Sequence, residues 1–272
     1  MTPLRLGLVG AGIAHSLSPA LYGHFLRQAG LDGSYALLAA PNARAAEHWL
    51  EVIRAGRLCG VNVTTPHKAL AARWVAIAEP VANTVYRQGS TLRACNTDGP
   101  GLLDALVEPL VGVRTVVLGS GGAALACVPA LVSAGARVTV CGRNADSTVE
   151  IARATGVAAA AWGDSTALTE AELVVQLSRF GHGEPGPCRQ PEVMAWLPWP
   201  AWVRCQTRVV DAVYARGART WFEQLAAQAG VIGDRGFGAQ MLAAQAARSF
   251  ERFTGNRPDW RMALAATSYT SG

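Results

Sequence analysis

Short apolar runs alternate with longer amphipathic stretches along this chain, and glycine or proline marks most of the joints. Leu4–Val9 is largely apolar, as a parallel strand buried on both faces would be. It leads through Gly10-Ala11-Gly12 to Ser16-Leu17-Ser18-Pro19. Ser18 is expected to cap a helix that starts at Pro19, runs to about Ala29 and stops at Gly30. Ser34–Ala40 reads as a second strand, and 42–55 as a helix ended by Gly56. In Leu58–Val63 the branched Val61 and Val63 suit a strand, with Asn62 and Thr64 on the opposite side. Pro66 cannot continue a central strand and suits the first turn of a helix, for which Thr65 is the expected cap. Val81–Tyr86, a turn at Arg87-Gln88-Gly89 and a strand over Ser90–Ala94 follow, and a helix is expected from Asp98 to about Val107.

From Arg114 the pattern becomes a regular β-α-β alternation. Thr115–Leu118 reads as a buried strand, Gly119–Ala124 as a glycine-rich joint, and a helix runs on through Leu131 to Ala134. Arg137–Cys141, Ala158–Ala161, Leu173–Leu177 and Arg208–Val213 read as further strands, and Thr220–Ala229 and Ala239–Phe253 as helices. Between Phe180 and Trp202 the chain is rich in Gly, Pro and Trp, which predicts a loop packed by Trp196, Trp199 and Trp202. Pro198 and Pro200 argue against a long helix there. The tail after Trp260 carries little signal. The fold class is therefore α/β, with two domains, one of them a Rossmann-type doubly wound parallel sheet.

At 272 residues the chain is long enough for two domains sharing one substrate cleft, and with half its residues apolar it is core-rich. The net charge of +5 is spread along the chain without a basic run, which suits small anionic ligands and argues against nucleic acid. No apolar run approaches the roughly 20 residues of a membrane span, so no membrane partner is expected. Met1 leads straight into a strand, so no secretory leader is expected. The six cysteines, Cys59, Cys95, Cys127, Cys141, Cys188 and Cys205, form no Cys-x-x-Cys pair and read as small buried hydrophobes of a reducing compartment. A cytoplasmic protein is the expectation. The five histidines lack zinc-type spacing, so a metal site is not expected.

Three stretches carry candidate chemistry. The turn after Val63 aims several polar side chains at one place, and Lys68 is among them. Ser16 and Ser18 set two hydroxyls beside a helix N-terminus, a place for an anion such as a carboxylate. Gly119-Ser120-Gly121-Gly122-Ala123 lies between strand and helix, where glycines allow a pyrophosphate to approach the backbone. The end of the next strand decides the cofactor. An acidic residue there would hold a ribose 2′-hydroxyl. Here Arg143 takes that place, and a guanidinium suits a 2′-phosphate. The nearest acid, Asp146, comes later, so NADP is favoured over NAD.

Gly-x-x-x-x-His-Ser-x-Ser-Pro at Gly10–Pro19, Asn-Val-Thr-x-Pro-x-Lys at Asn62–Lys68 and Asn-Thr-Asp-Gly at Asn96–Gly99 resemble the shikimate dehydrogenase family. Gly119–Ala123 and Met-Leu-x-x-Gln at Met241–Gln245 extend the resemblance over essentially the whole chain. It implies an NADP-linked, reversible reduction of 3-dehydroshikimate to shikimate, a hydroxylated cyclic carboxylate, by a monomer or homodimer. It also implies a substrate-binding and catalytic domain over residues 1–106 completed by 236–272 with its C-terminal helix, and an NADP-binding domain over 107–235. Lys68 and Asp98 would be the catalytic pair. Ser16, Ser18 and Tyr214 would hold the substrate carboxylate; Thr64, Asn83, Asp98 and Gln245 would hold ring hydroxyls, with Asn62 in support. Gly119, Ser120, Gly121, Gly122 and Ala123 would carry the pyrophosphate, and Gly142, Arg143 and Asn144 the adenosine phosphate.

Several positions depart from the family pattern. Gln176-Leu177-Ser178-Arg179 stands where the family usually shows Asn-Ala-Thr-Ser, and Gly142-Arg143-Asn144 replaces Asn-Arg-Thr. His67 replaces an apolar residue, Phe237 an acidic one and Gln240 a glycine. Arg179, His182 and the tryptophan-rich loop are also unusual. These differences leave open a relative that acts on quinate, an aminoshikimate or another hydroxylated cyclic acid. A non-catalytic NADP-binding sensor is a second alternative, against which Lys68, Asp98, Ser16 and Ser18 stand intact.

Overall fold

The computed structural model describes residues 3–178, 180, 194–215 and 219–267. The chain divides into two compact units, Met1–Leu102 with Leu242–Ser268, and Leu103–Met241. The divisions fall inside the helices Asp98–Leu106 (α4) and Phe237–Thr254 (α9).

In the first unit, β1 (Leu4–Gly10), β2 (Gly33–Ala39), β3 (Gly60–Val63), β4 (Thr84–Gln88) and β5 (Thr91–Cys95) form one sheet in the order β2-β1-β3-β4-β5. β1 pairs in parallel with β2 and β3, whereas β4 pairs antiparallel with both β3 and β5. The parallel crossovers are α1 (Ser18–Gln28) and α2 (Ala43–Arg54). All of β3 is buried, as its central place requires. On one face Val9, Val61, Val63 and Val85 pack with Leu50 and Ile53 of α2 and with Ala71 and Ala72 of α3 (Lys68–Val75). Another cluster is aromatic. Tyr22 stacks on Tyr35 at 3.9 Å between ring centroids, and Phe25 lies 5.6 Å from Phe250 of α9. Phe25 and Phe250 are fully buried, and each such ring contributes roughly 1.5–3 kcal/mol by leaving water.

The second unit is a six-stranded parallel sheet. Its strands are β6 (Arg114–Leu118), β7 (Arg137–Cys141), β8 (Ala158–Ala160), β9 (Leu173–Gln176), β10 (Arg208–Asp211) and β11 (Ile232–Gly233), in the order β11-β10-β9-β6-β7-β8. α5 (Gly122–Ser133) follows β6, α6 (Ala145–Thr155) follows β7, and α8 (Trp221–Ala229) lies between β10 and β11. The order reverses between β9 and β6, because the chain builds outward from β6 to β7 and β8 and then returns to the other side. In such sheets the crevice at the carboxyl ends of those two strands is the ligand position.

The tryptophans pack, as their sequence predicts. Trp202 is fully buried and its indole N–H donates to the Leu168 carbonyl at 2.8 Å. Trp199 meets Trp202 and Phe222 edge-on or tilted, and Trp162 meets Trp196. The expected proline-limited segment is the six-residue helix α7 (Trp199–Arg204). The expectations for 181–193, which include His182 and Cys188, and for Arg179 lie outside the described residues. Cys127 and Cys141 are buried and Cys59 and Cys95 half-buried, but Cys205 is exposed. Burial pushes the Cys141 thiol up to about 11, and Asp164 adds to it, so this group stays a neutral hydrophobe.

Two expected caps are corrected. Ser18 is the first residue of α1, and the Ser16 hydroxyl accepts the Ser18 N–H at 3.1 Å. Pro66 does not start α3. A turn closed by the His67 N–H on the Thr64 carbonyl, with a cis Thr65–Pro66 peptide, takes up those residues, and the helix begins at Lys68. A further helix, α10 (Trp260–Ala266), is not among the expected elements; Asp259 caps it by accepting the N–H groups of Arg261 and Met262. Among the described residues no helix is long and apolar enough to cross a membrane.

α4 and α9 approach closely at Gly101. A Cβ there would lie 2.5 Å from the Gln245 Cβ and 2.7 Å from its backbone N and Cα. Alanine is the better helix former by about 1 kcal/mol, but overpacking against backbone costs about 1–3 kcal/mol. Gly101→Ala is therefore expected to lower the denaturant midpoint, measured by circular dichroism. An unchanged or raised midpoint would show that the two helices are free to separate.

Candidate functional site

In the first unit, β3 and α4 deliver the two charged groups. β3 ends at Val63, and the Thr64–His67 turn hands the chain to α3 with Lys68 in its first position. β5 ends at Cys95, and α4 opens with Asp98. The Lys68 Nζ lies 2.5 Å from Asp98 Oδ2, with the side chains only 16% and 9% exposed. Asp98 Oδ1 accepts from Asn83 Nδ2 at 2.8 Å, and the Asp98 N–H donates to Asn96 Oδ1 at 2.9 Å. Each carboxylate oxygen thus has a fixed donor.

Asn83 is the hub of this cluster. Its Oδ1 accepts the Thr97 N–H at 2.9 Å, and its Nδ2 also reaches Thr97 Oγ1 at 2.9 Å and Gln245 Oε1 at 3.2 Å. Gln245 comes from α9 and is itself held by donation to the Leu242 carbonyl. Five expected site residues, Asn62, Lys68, Asn83, Asp98 and Gln245, therefore lie in one connected network. Thr64 is half-buried in the turn that leads to Lys68, and its methyl fills the space a Cβ on Gly10 would need.

Asn62, expected in support of the ring-hydroxyl contacts, is internal. It is 6% exposed and all its polar capacity is taken. Its Oδ1 accepts from Tyr22 at 2.6 Å and Tyr35 at 2.9 Å. Its Nδ2 faces the Asn83 carbonyl, Thr84 Oγ1 and Ser249 Oγ, the last at 2.9 Å. Burial pushes both phenols above their ordinary range, so they remain neutral donors. Tyr35 also meets the Ser18 side chain, which links Asn62 to the serine pair. Ser18 is 4% exposed, and Ser16 Oγ donates to Ser18 Oγ at 3.1 Å.

Tyr22, Tyr35, Thr84, Thr97 and Ser249 were missed from the sequence. Two had a signal. Thr97 lies inside the Asn96–Gly99 motif, and Ser249 follows Gln245 by four residues, one turn along the same helix face. Nothing local marks the two tyrosines.

Tyr214 belongs to the second unit, on the loop leaving β10. The glycine-rich turn is there as well. Gly119 has φ +123°, a conformation side chains rarely adopt, and a Cβ would meet the Ser178 N at 2.8 Å. Gly121 precedes α5, no side chain caps that helix, and the space beside Gly121 is open. Uncapped N–H groups at an open helix N-terminus suit a diphosphate, so the residues present fit a dinucleotide. Gly122 and Ala123 form the first turn of α5. Gly142 packs: a Cβ would lie 2.5 Å from Ser120 Oγ and 2.7 Å from Thr148 Oγ1. Arg143 is exposed at the end of β7. Asn144 spends its side-chain oxygen on capping α6, accepting the Ser147 N–H at 2.9 Å. Among the described residues no three His, Cys, Asp or Glu side chains gather to hold a metal.

Residues 8–97 match the model of the shikimate dehydrogenase substrate binding domain. A shikimate dehydrogenase (NADP(+)) of Exiguobacterium sibiricum is 31% identical over 262 residues, covering 94% of each chain. That of Thermus thermophilus is 36% identical over 265 residues, again covering 94% of each. The chain belongs to the shikimate dehydrogenase family. Among solved structures, a shikimate 5-dehydrogenase from Thermus thermophilus in complex with NADP(H) and shikimate superposes with a TM-score of 0.81 at 32% identity, covering 97% of this chain and 98% of that one.

One buried carboxyl stands apart from the ion pair. Asp211 ends β10, is 1% exposed and is pushed up to about 8 by burial, against hydrogen bonds from Thr220 and Val213 and with help from the charge of Glu223. An unfolded aspartate releases its proton near pH 3.9. Between those values the folded state binds the extra proton, so stability falls as pH rises. Asp211→Asn, which cannot ionise, is expected to gain stability relative to the parent between about pH 5 and pH 8. Paired urea titrations across that window check it, and a difference that stays flat contradicts the buried neutral acid.

Proposed function

We propose that this protein catalyses the NADP-dependent, reversible reduction of 3-dehydroshikimate to shikimate. The observation that carries the reading is the 2.5 Å pair of Lys68 Nζ and Asp98 Oδ2, held at the edge of a fully hydrogen-bonded network. NADPH, when bound, supplies the hydride. The protein must then supply a proton to the oxygen on which charge develops. Lys68 has three N–H donors and commits one to Asp98, which leaves two for that oxygen. In the oxidative direction the same nitrogen receives the proton. Asp98 steadies the ammonium and offers a carboxylate edge to a ring hydroxyl, while Gln245, Thr64 and Asn83 orient further hydroxyls. Ser16, Ser18 and Tyr214 hold the substrate carboxylate, and Asn62 acts behind them by fixing Tyr35. Gly119, Ser120, Gly121, Gly122 and Ala123 hold the pyrophosphate, and Arg143, with Gly142 and Asn144 shaping its loop, holds the 2′-phosphate. The well-spread charge, without a basic run, supports small anionic partners; the reading is of a cytoplasmic monomer or homodimer.

The test is nicotinamide absorbance with shikimate and with quinate, each against NADP and NAD. Turnover with NADP and shikimate is expected. Quinate as the better substrate would move the assignment to a relative, and tight NADPH binding without turnover would make the protein a sensor. Lys68→Ala is expected to lower kcat by roughly 10²–10⁴, the usual worth of acid–base help; near-normal turnover would remove its role. Arg143→Ala is expected to raise KM for NADP about tenfold or more and to leave KM for NAD within about twofold, since one charge-assisted contact is worth about 1.5–3 kcal/mol. Equal effects on both cofactors would contradict the 2′-phosphate contact.

A further inference from the structure

We propose that Gln176 is a positioning residue for the half of the dinucleotide beyond the pyrophosphate, because it sets the loop leaving β9 against the glycine-rich turn. The inference rests on the proposed function and extends it to a residue that departs from the family's Asn-Ala-Thr-Ser pattern.

Gln176 is the last residue of β9 and is fully buried. A buried amide is costly unless both ends are bonded. Its Oε1 accepts the Ser178 N–H in a short contact. Its Nε2 donates to Asp211 Oδ1 at 3.3 Å and to the Phe180 carbonyl at 3.2 Å. The Phe180 N–H in turn donates to Ser178 Oγ at 3.2 Å. One side chain therefore holds Ser178 and Phe180 together and ties them to the end of β10.

The start of that loop is one wall of the ligand position. Ser178 N lies where a Cβ on Gly119 would come within 2.8 Å, so the backbone after β9 presses directly on the turn after β6. β9 and β6 are the strands between which the sheet order reverses. Arg143 stands on the other side, at the end of β7, so an adenosine phosphate held there directs the remainder of the molecule over the end of β9. Asp211 also accepts the Val213 N–H at 2.9 Å, next to Tyr214. The Gln176–Asp211 contact thus joins the loops after β9 and β10, which carry the nicotinamide side and the proposed carboxylate contact.

The experiment is equilibrium titration of the full chain, by ligand-induced fluorescence change, with NADPH and separately with 2′,5′-ADP. Q176L keeps the bulk and loses all three side-chain hydrogen bonds. It is expected to bind NADPH about tenfold or more weakly, ~1.4 kcal/mol, and 2′,5′-ADP within about twofold of the parent. Unchanged NADPH affinity, or equal loss for both ligands, overturns the inference while leaving the parent's NADPH binding, and so the proposed function, standing. A parent that binds no NADPH overturns both. Q176E covers the case in which Q176L does not fold, since it keeps the size and the acceptor for Ser178. Its titratable neighbour is Asp211 from β10, with Glu223 of α8 acting on Asp211 and neutral Ser178 and Thr220 completing the surroundings. NADPH affinity of Q176E is expected near the parent's at about pH 6 and at least about fivefold below it at about pH 8.5, where two adjoining carboxylates repel. A ratio that does not change with pH overturns the positioning role.

Discussion

The side-chain amide of Asn83 is the contact on which the first unit's chemistry depends. Its oxygen holds the Thr97 backbone and its nitrogen faces Asp98, Thr97 and Gln245, so one buried group joins the end of β5, the start of α4 and the middle of α9. An amide nitrogen has two hydrogens, and three acceptors around it must share them. The arrangement is satisfied only while all three elements stay in place. Among the described residues no buried polar side-chain atom is left without a partner. Losing one member would leave a desolvated donor or acceptor behind, at about 1–3 kcal/mol each. That asymmetry, more than the modest net worth of any single bond, is what fixes the geometry around Lys68.

The second unit uses the same physics with charge removed. Asp211 is buried deeply enough to hold its proton near neutral pH, and it still accepts from Val213 and Thr220. Around it, Thr220 and Glu223 form a reciprocal cap at the start of α8, and Glu223 also accepts the Gly236 N–H at 2.8 Å. Polar side chains here anchor loops at the carboxyl edge of a parallel sheet. In the first unit they anchor a charged pair that is largely shielded from solvent. Both follow from the rule that buried polar groups are kept only when fully bonded.

Periodicity made the strands and most helices legible because buried strands and glycine-stopped helices leave local marks, as at Val61–Val63 and Gly135. The charged pair was legible because two motifs end at strand tips. What escaped depended on distance. The partners of Asn62 escaped because its place in β3 says only which face it takes. Tyr22, 40 residues earlier, and Ser249, 187 residues later, turn that face inward. The Thr65–Pro66 turn escaped because a proline after a strand suits a helix start and a tight turn equally well. Asp259 could have announced α10, since an aspartate before an apolar run is a common cap.

Lys68 stands in an unfavourable place by one criterion. It opens α3, and the N-terminal end of a helix repels a cation by about 0.3–1 kcal/mol. Asp98 opens α4, where the same field is attractive to its charge. A carboxylate 2.5 Å away outweighs the weak field of an eight-residue helix even when effective dielectric screening is strong. The ammonium is therefore held by its partner and not by its own helix. Because Asp98 is in turn fixed by Asn83 and Asn96, the direction of the remaining Lys68 protons is set two contacts away from Lys68 itself.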